Sequence, residues 1–276
     1  MALIRERDSK RLHIKSKLMG ESLVSKSFIQ SLEYQEQFRA LPDVTVLKVG
    51  GQSITDMGAK AVLPVLEEVV ANADQNKMII STGGGTRSRH VYTIAMELGM
   101  PTGVIATLGQ SVSEQNALML STLLMPHGGI KVGHDDIPKL AAYFNQGCIP
   151  VIHGMPPYGY WEHLPQEGRL PPNRTDMGAY LLAEVIGAKQ CIFVKDEDGL
   201  YTDNPKVNPE AEFIPRIGAR ELIEKDLDDL IIERGVLDMI LRSQNVKEIQ
   251  IINGLKQGNI SRALKGEHVG TIIFKD

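Results

Sequence analysis

The sequence predicts an α/β protein, a three-layer αβα sandwich built on a mainly parallel central sheet. Two observations carry this expectation. From Val44 onward, short runs of β-branched and aliphatic residues alternate with blocks of helical periodicity, and such alternation builds a parallel sheet covered on both faces. The first run, Val44-Thr45-Val46-Leu47-Lys48-Val49, is almost continuously apolar and is cut off by Gly50 and Gly51, as a strand buried on both sides is.

Residues 1–40 come before that alternation. They scatter Lys10, Arg11, Lys15, Lys17 and Lys26 among serines and form an arm, either a contact for a partner or polyanion or a solvated, partly helical tail. Residues 41–276 are expected to form one domain of two lobes, 41–170 and 171–276. The first strand leads to a helix over 58–73, a strand over 78–81 and a helix over 87–98. A strand starting at Val104-Ile105 comes next, then a helix over 112–124 and a loop over 126–129. A helix near 137–145 and a strand over 148–153 precede the long insertion 154–174, which holds five prolines beside Tyr158, Tyr160 and Trp161. Loops of that length inside compact domains are usually functional. Beyond it the spacing predicts a helix over 175–186, a strand over 190–195 and a turn-rich stretch to Pro215. Helices near 219–225 and 237–246, a strand over 249–252, a short helix over 260–264 and a strand over 271–274 close the chain.

Composition sets limits. The 276 residues are 42% hydrophobic and 23% charged with a formal net charge of −4, which argues against a general nucleic-acid surface. No run approaches the ~20 apolar residues of a membrane span, and the first residues lack the apolar core of a signal peptide. Cys148 and Cys191 stand far apart in apolar runs, as buried thiols of a cytoplasmic protein do.

Three clusters carry chemistry. Lys48 ends its strand beside Gly50, Gly51 and Ser53, where a lysine charge and bare backbone N–H groups suit a phosphate; a lysine that snorkels to solvent beside a turn fits the same four residues. The second cluster, Ser81-Thr82-Gly83-Gly84-Gly85-Thr86-Arg87-Ser88-Arg89, follows a strand and opens a helix, which points N–H groups at an anion. Arg87 and Arg89 there oppose the helix dipole unless an anion is bound. Ser88 stands where a dinucleotide fingerprint needs its third glycine, and no G-x-x-x-x-G-K-[ST] occurs. The third cluster is Lys195-Asp196-Glu197-Asp198-Gly199-Leu200-Tyr201-Thr202-Asp203-Asn204-Pro205. Turn chemistry accounts for Asp198-Gly199 and Asn204-Pro205, but not for a lysine and clustered acids that could face Mg²⁺ and a nucleotide.

Together with Asp176 at the start of its helix and Gly266-Glu267-x-x-Gly270-Thr271, these clusters resemble the amino-acid-kinase superfamily in its uridylate-kinase-like branch, over nearly everything from Val44 onward. Within it the sequence is most similar to the molybdenum-storage subunits. The similarity rests on the Gly85-to-His90 and Val194-to-Thr202 stretches and, above all, on Pro156-Pro157-Tyr158 followed by Pro171-Pro172-x-Arg174-x-Asp176. The resemblance implies the amino-acid-kinase fold, ATP with Mg²⁺ as cofactor, and molybdate or tungstate as stored ligand in a hexamer of one subunit type or with a related subunit. It implies catalytic roles for Lys48 and Asp176. Nucleotide contacts would come from Gly50, Gly51, Gly84, Gly85, Arg87, Lys195, Asp198, Gly199, Tyr201, Asp203 and Pro205. One subunit of that family carries a histidine-rich run after Pro-Pro-Tyr, and here Gly159-Tyr160-Trp161-Glu162-His163 stands in its place. The remaining imidazoles considered as metal ligands are His134, His153 and His163, with His127 nearby; each singly also fits a surface or core histidine, and no tight ligand spacing joins them. A kinase acting on a nucleoside monophosphate or acidic metabolite, and a catalytically weak nucleotide sensor, are the competing functions.

Overall fold

The computed structural model describes residues 37–276 and, before them, strands β1 (Leu3–Arg5) and β2 (Leu12–Ile14). These two pair antiparallel, Leu3 opposite Ile14. Other expectations about the arm up to residue 36 lie outside the described residues. Residues Phe38–Asp276 form one compact unit.

Its strands are β3 (Val44–Val49), β4 (Lys77–Thr82), β5 (Gly129–Lys131), β6 (Ile149–His153) and β7 (Gln190–Lys195). The small antiparallel pair β8 (Leu200–Tyr201) and β9 (Phe213–Ile214) follows, then β10 (Arg216–Gly218), β11 (Glu248–Asn253) and β12 (Thr271–Phe274). Eight of them make one sheet in the order β10-β12-β11-β7-β3-β4-β6-β5. Only the β11–β12 pairing is antiparallel.

Period-two alternation sorts each central strand onto two faces. Val44 and Val46 of β3 with Cys191 and Phe193 of β7 bury against Met177, Tyr180 and Ala183 of the Thr175–Ile186 helix. Leu47, Val49, Ile192 and Val194 bury on the opposite side against Val62, Val65 and Val69 of the Ala59–Asn72 helix. Lys48 is aligned with Phe193, and Lys195 lies two residues beyond Phe193. Both lysines therefore belong to the face covered by the Thr175–Ile186 helix.

The chain enters the sheet at β3, adds β4, β6 and β5 on one side, then returns to place β7, β11 and β12 on the other. The order reverses between β3 and β7, and open α/β sheets bind ligands at the carboxyl ends of strands beside such a reversal.

Several local expectations are corrected. Val104-Ile105 is no strand: it lies inside a helix running Thr102–Leu124. Pro101 starts this helix, and Gly103 is there for close packing, since a Cβ would fall on the Tyr160 carbonyl; tertiary contact overrides the β-branched local preference. The expected loop over 126–129 gives way at Gly129 to the edge strand β5, the turn-rich stretch to Pro215 also holds β8 and β9, and β10 lies just beyond it. The helix expected over 137–145 is a 3₁₀ turn, His134–Lys139, followed by Leu140–Asn145. The one expected over 237–246 is Arg234–Arg242. Cys148 and Cys191 are free thiols, and no helix among the described residues is long and apolar enough to cross a membrane.

The Thr175–Ile186 helix lies hard against the turn after β6. A Cβ at Gly178 would meet the Gly154 carbonyl oxygen and stand 2.6 Å from the Pro156 nitrogen, both backbone atoms. Gly178→Ala is expected to destabilise the protein by about 1–3 kcal/mol, the usual cost of overpacking. Urea denaturation measures it, and an unchanged midpoint would show that the helix has room to move.

Candidate functional site

Lys48 and Lys195 are 3% and 8% exposed and Asp176 4%, so the charged groups at the β3–β7 carboxyl ends are out of water. Asp176 Oδ1 takes the Lys48 ammonium and Oδ2 the Lys195 ammonium at 3.1 Å. Burial alone would push the Asp176 carboxyl up; Lys195 and Lys48 outweigh it and hold it well below the usual carboxylate range. Burial pulls the Lys195 ammonium down despite Asp176 beside it, and Lys48 adds to that pull by repulsion. Two cations share one carboxylate here.

Beside this cluster the two glycine loops meet backbone to backbone. A Cβ on Gly83 would sit 2.6 Å from the Gly51 nitrogen and 3.3 Å from Lys48 Nζ. Only glycine lets the loops close around the lysine head. Asp56 Oδ2 accepts the Thr86 N–H, and buried Asn116 donates to the Gly83 carbonyl at 2.6 Å, which fixes the second loop from both sides.

The start of the Thr175–Ile186 helix is held by a group that the sequence does not announce. Its N-cap, Arg174, makes no side-chain cap. Instead Glu233 accepts the N–H groups of Arg174 at 2.9 Å, Asp176 at 3.0 Å and Met177 at 3.2 Å. Burial and then the Asp176 charge push the Glu233 carboxyl up, while Arg174 opposes them.

The Lys48–Asp176–Lys195 cluster, the glycine loops and Glu233 wall a cavity of about 420 Å³. One end is cationic, with Lys48, Lys195 and Arg89 beside Gly50, Gly51 and Gly83 to Gly85; of these glycines Gly50 and Gly83 spend their N–H groups on the Val194 and Val49 carbonyls. The other is formed by Gly199 to Tyr201, Asp203 to Lys206 and Leu230 to Ile232. Ser88 also lines it, buried, with no hydrogen-bond partner for its hydroxyl.

Of the expected site residues, Lys48, Asp176, Gly50, Gly51, Gly84, Gly85, Lys195, Gly199, Tyr201, Asp203 and Pro205 line this cavity. Arg87 and Asp198 do not. Two residues along a helix turn the side chain through about 200°, so Arg89 faces the cavity while Arg87 donates to Gln115 at 3.1 Å and to Asn116. Asp198 is drawn off by Lys256 at 2.7 Å and Asn253 at 3.0 Å, and Lys256 holds its carboxyl below the usual range. Asp196 and Glu197, which do line the cavity, pair with Lys206. Glu233 also lines the cavity; it lies 57 residues from Asp176 and has no local signature.

The imidazoles separate. His134 and His153 stack edge to face with centroids 4.4 Å apart, but His134 Nε2 donates to the Met155 carbonyl at 3.0 Å. Burial and His134 lower the His153 imidazole to about 4. His163 is exposed and stacks on Tyr158 instead. Among the described residues no group of three or more His, Cys, Asp or Glu side chains could hold a metal ion.

Residues 43–248 match the model of the amino acid kinase family. The chain belongs to that family. It is 50% identical over 256 residues, 93% of its length and 95% of the relative's, to molybdenum storage protein subunit beta of Azotobacter vinelandii. A uridylate kinase of Metallosphaera sedula is 25% identical over 83% of this chain and 97% of its own. Among solved structures, the uridylate kinase of Archaeoglobus fulgidus superposes with a TM-score of 0.62 at 26% identity, covering 83% of this chain and 99% of that one.

The buried cluster gives a signed pH dependence. Because the folded carboxyl of Asp176 is depressed, its contribution to stability is present above the unfolded value near 3.8 and is lost as pH falls below it. Asp176→Asn leaves two buried ammonium groups without a counter-charge, an expected loss of about 3–5 kcal/mol at pH 7. The gap between variant and wild type should narrow below about pH 4. Denaturation at several pH values tests this, and a gap independent of pH would remove the charge argument.

Proposed function

We propose that this chain is the subunit of an oxometalate store, binding ATP with Mg²⁺ in the cavity and using it to deposit molybdate or tungstate. The observation that carries this reading is the 50% identity, running through 93% of the chain, to a molybdenum storage subunit; the kinase relatives are far more distant. The geometry supports it. The cationic end suits a polyphosphate, and the two glycine loops close on each other beside Lys48, where a Cβ on Gly51 or Gly83 would strike the opposite backbone. Tyr201, Pro205 and Leu230 to Ile232 offer apolar walls to a base. Mg²⁺ commonly rides on phosphates with one or two carboxylates; Asp203 lines the cavity and would supply one, while Asp196 and Glu197 would first have to give up Lys206. The bound ion would neutralise phosphate charge, while Lys48 and Lys195 would orient the phosphates and Asp176 would fix both lysines. In this reading 41–170 is the oxyanion side and 171–276 the nucleotide side of one domain.

A store needs an enclosed volume, which a single subunit cannot supply, and closed symmetry is the usual form of soluble oligomers. Tyr160, Trp161 and Leu164 in the insertion are 66%, 86% and 84% exposed, an apolar patch of the kind that marks interfaces. We place it at a subunit seam of a cytoplasmic hexamer, formed with copies or with a related subunit.

Elemental analysis of the full-length protein after growth in molybdate or tungstate tests the storage reading: metal in excess of one ion per chain is expected. Metal-free protein that instead forms UDP from ATP and UMP would establish the kinase. Lys48→Ala should lower ATP turnover on the order of 10²-fold, as loss of one preorganised electrostatic group does. Unchanged turnover in the folded variant would remove the phosphate role of Lys48.

A further inference from the structure

The amino end of the Thr175–Ile186 helix forms part of the cavity wall, and its first N–H groups have no partner within the helix. Such an end is an anion site by construction. Here an anion already fills it, supplied by the chain itself. Glu233 is remote in sequence, its side chain is 9% exposed, and both its oxygens are used: Oε2 by Arg174 and Met177, Oε1 by the N–H of Asp176. Arg174 Nε stands 3.9 Å from Oε1.

We infer that Glu233 is a positioning residue: its carboxylate occupies the anion position at this helix end and so fixes Asp176 between Lys48 and Lys195. This rests on the reading of the cavity as a nucleotide site. Asp176 is held at two points. Its side chain is gripped by the lysines and its backbone N–H by Glu233, so the carboxylate cannot follow the lysines if they lean toward a ligand. Local sequence supplies no substitute, because an arginine at the N-cap position offers no acceptor to the helix. Without Glu233 the helix end would be open to a free oxyanion, beside the site where Lys48 and the glycine loops should hold one.

The test compares full-length wild type, Glu233→Gln, which keeps one oxygen acceptor, and Glu233→Ala, which keeps none. A positioning group should show in turnover rather than in binding. ATP turnover of Glu233→Ala is expected to fall on the order of 10²-fold, the cost of a misplaced site, while affinity for a non-hydrolysable ATP analogue changes far less. Glu233→Gln should fall between. Sodium formate, a carboxylate small enough for the vacated space, should restore turnover and raise the melting temperature of Glu233→Ala relative to sodium chloride, without doing so in wild type. Wild-type turnover in Glu233→Ala, affinity lost in step with turnover, or formate acting equally on all three proteins would overturn the inference. If Glu233→Ala fails to fold, the split between turnover and affinity in Glu233→Gln decides it. Wild type that binds no nucleotide would instead overturn the nucleotide reading, and the formate-dependent melting shift, read without nucleotide, still tests the carboxylate at the helix end.

Discussion

Asp176, buried between Lys48 and Lys195, is the constraint on which the rest of the architecture depends. Taking one such charge out of water costs several kcal/mol even after relaxation, and here three are buried within a few ångströms. The cluster holds only if its geometry is fixed from outside. Parallel alignment of β3 with β7 puts both lysines on one sheet face, the Thr175–Ile186 helix covers that face, and Gly178 lets the helix approach until its first turn reaches the lysines. A change in strand register by one residue would send Lys48 into the Leu47 and Val49 side of the core. Fold and site are thus the same requirement seen at two scales.

The cluster is also unbalanced. Two ammonium groups face one carboxylate, Arg89 adds a charge to the same wall, and Glu233 is already engaged with backbone N–H groups and Arg174. Beside Asp176 the surplus is positive, and Lys48 and Lys195 are buried there, where charge interactions are stronger than in water. An incoming anion would complete that cluster electrostatically, and the glycine loops let it approach the backbone with no Cβ in the way.

What the sequence reveals follows from the range of each interaction. Lys48, the glycine pairs and Lys195 are legible because strand end, turn and glycine sit within a few residues, and the helix start at Asp176 is legible through its neighbours. Arg87 and Arg89 look equivalent in sequence; only helix geometry separates the one facing the cavity from the one facing Asn116. Asp198 resembles a metal ligand until Lys256, 58 residues on, claims it. Glu233 is invisible for the same reason, since its partners lie 56 to 59 residues away. Strands β5 and β8 to β10 escape notice because two or three residues carry no periodicity, and the Thr102–Leu124 helix is masked by a β-branched pair beside a glycine that packs under Tyr160.

The contacts at the cationic end bear on how one family can include both phosphotransferases and a storage protein. Lysine charges and backbone N–H groups recognise negative charge and a tetrahedral set of oxygens; none of them senses the atom at the centre. In the proposed reading phosphate and molybdate would both offer a tetrahedral set of oxygens to Lys48, Lys195 and the glycine loops, differing there only in size and protonation. In that reading they would be told apart on the acceptor side of the cavity, where Ser88 and Tyr92 sit on the Gly85–Glu97 helix and where the 154–174 insertion ends at Arg174. In a kinase that side must seat an acceptor oxygen in line with the bond being broken. In the proposed store it would need only to release the terminal oxyanion toward an enclosed space, and the insertion is the segment on which that difference would fall.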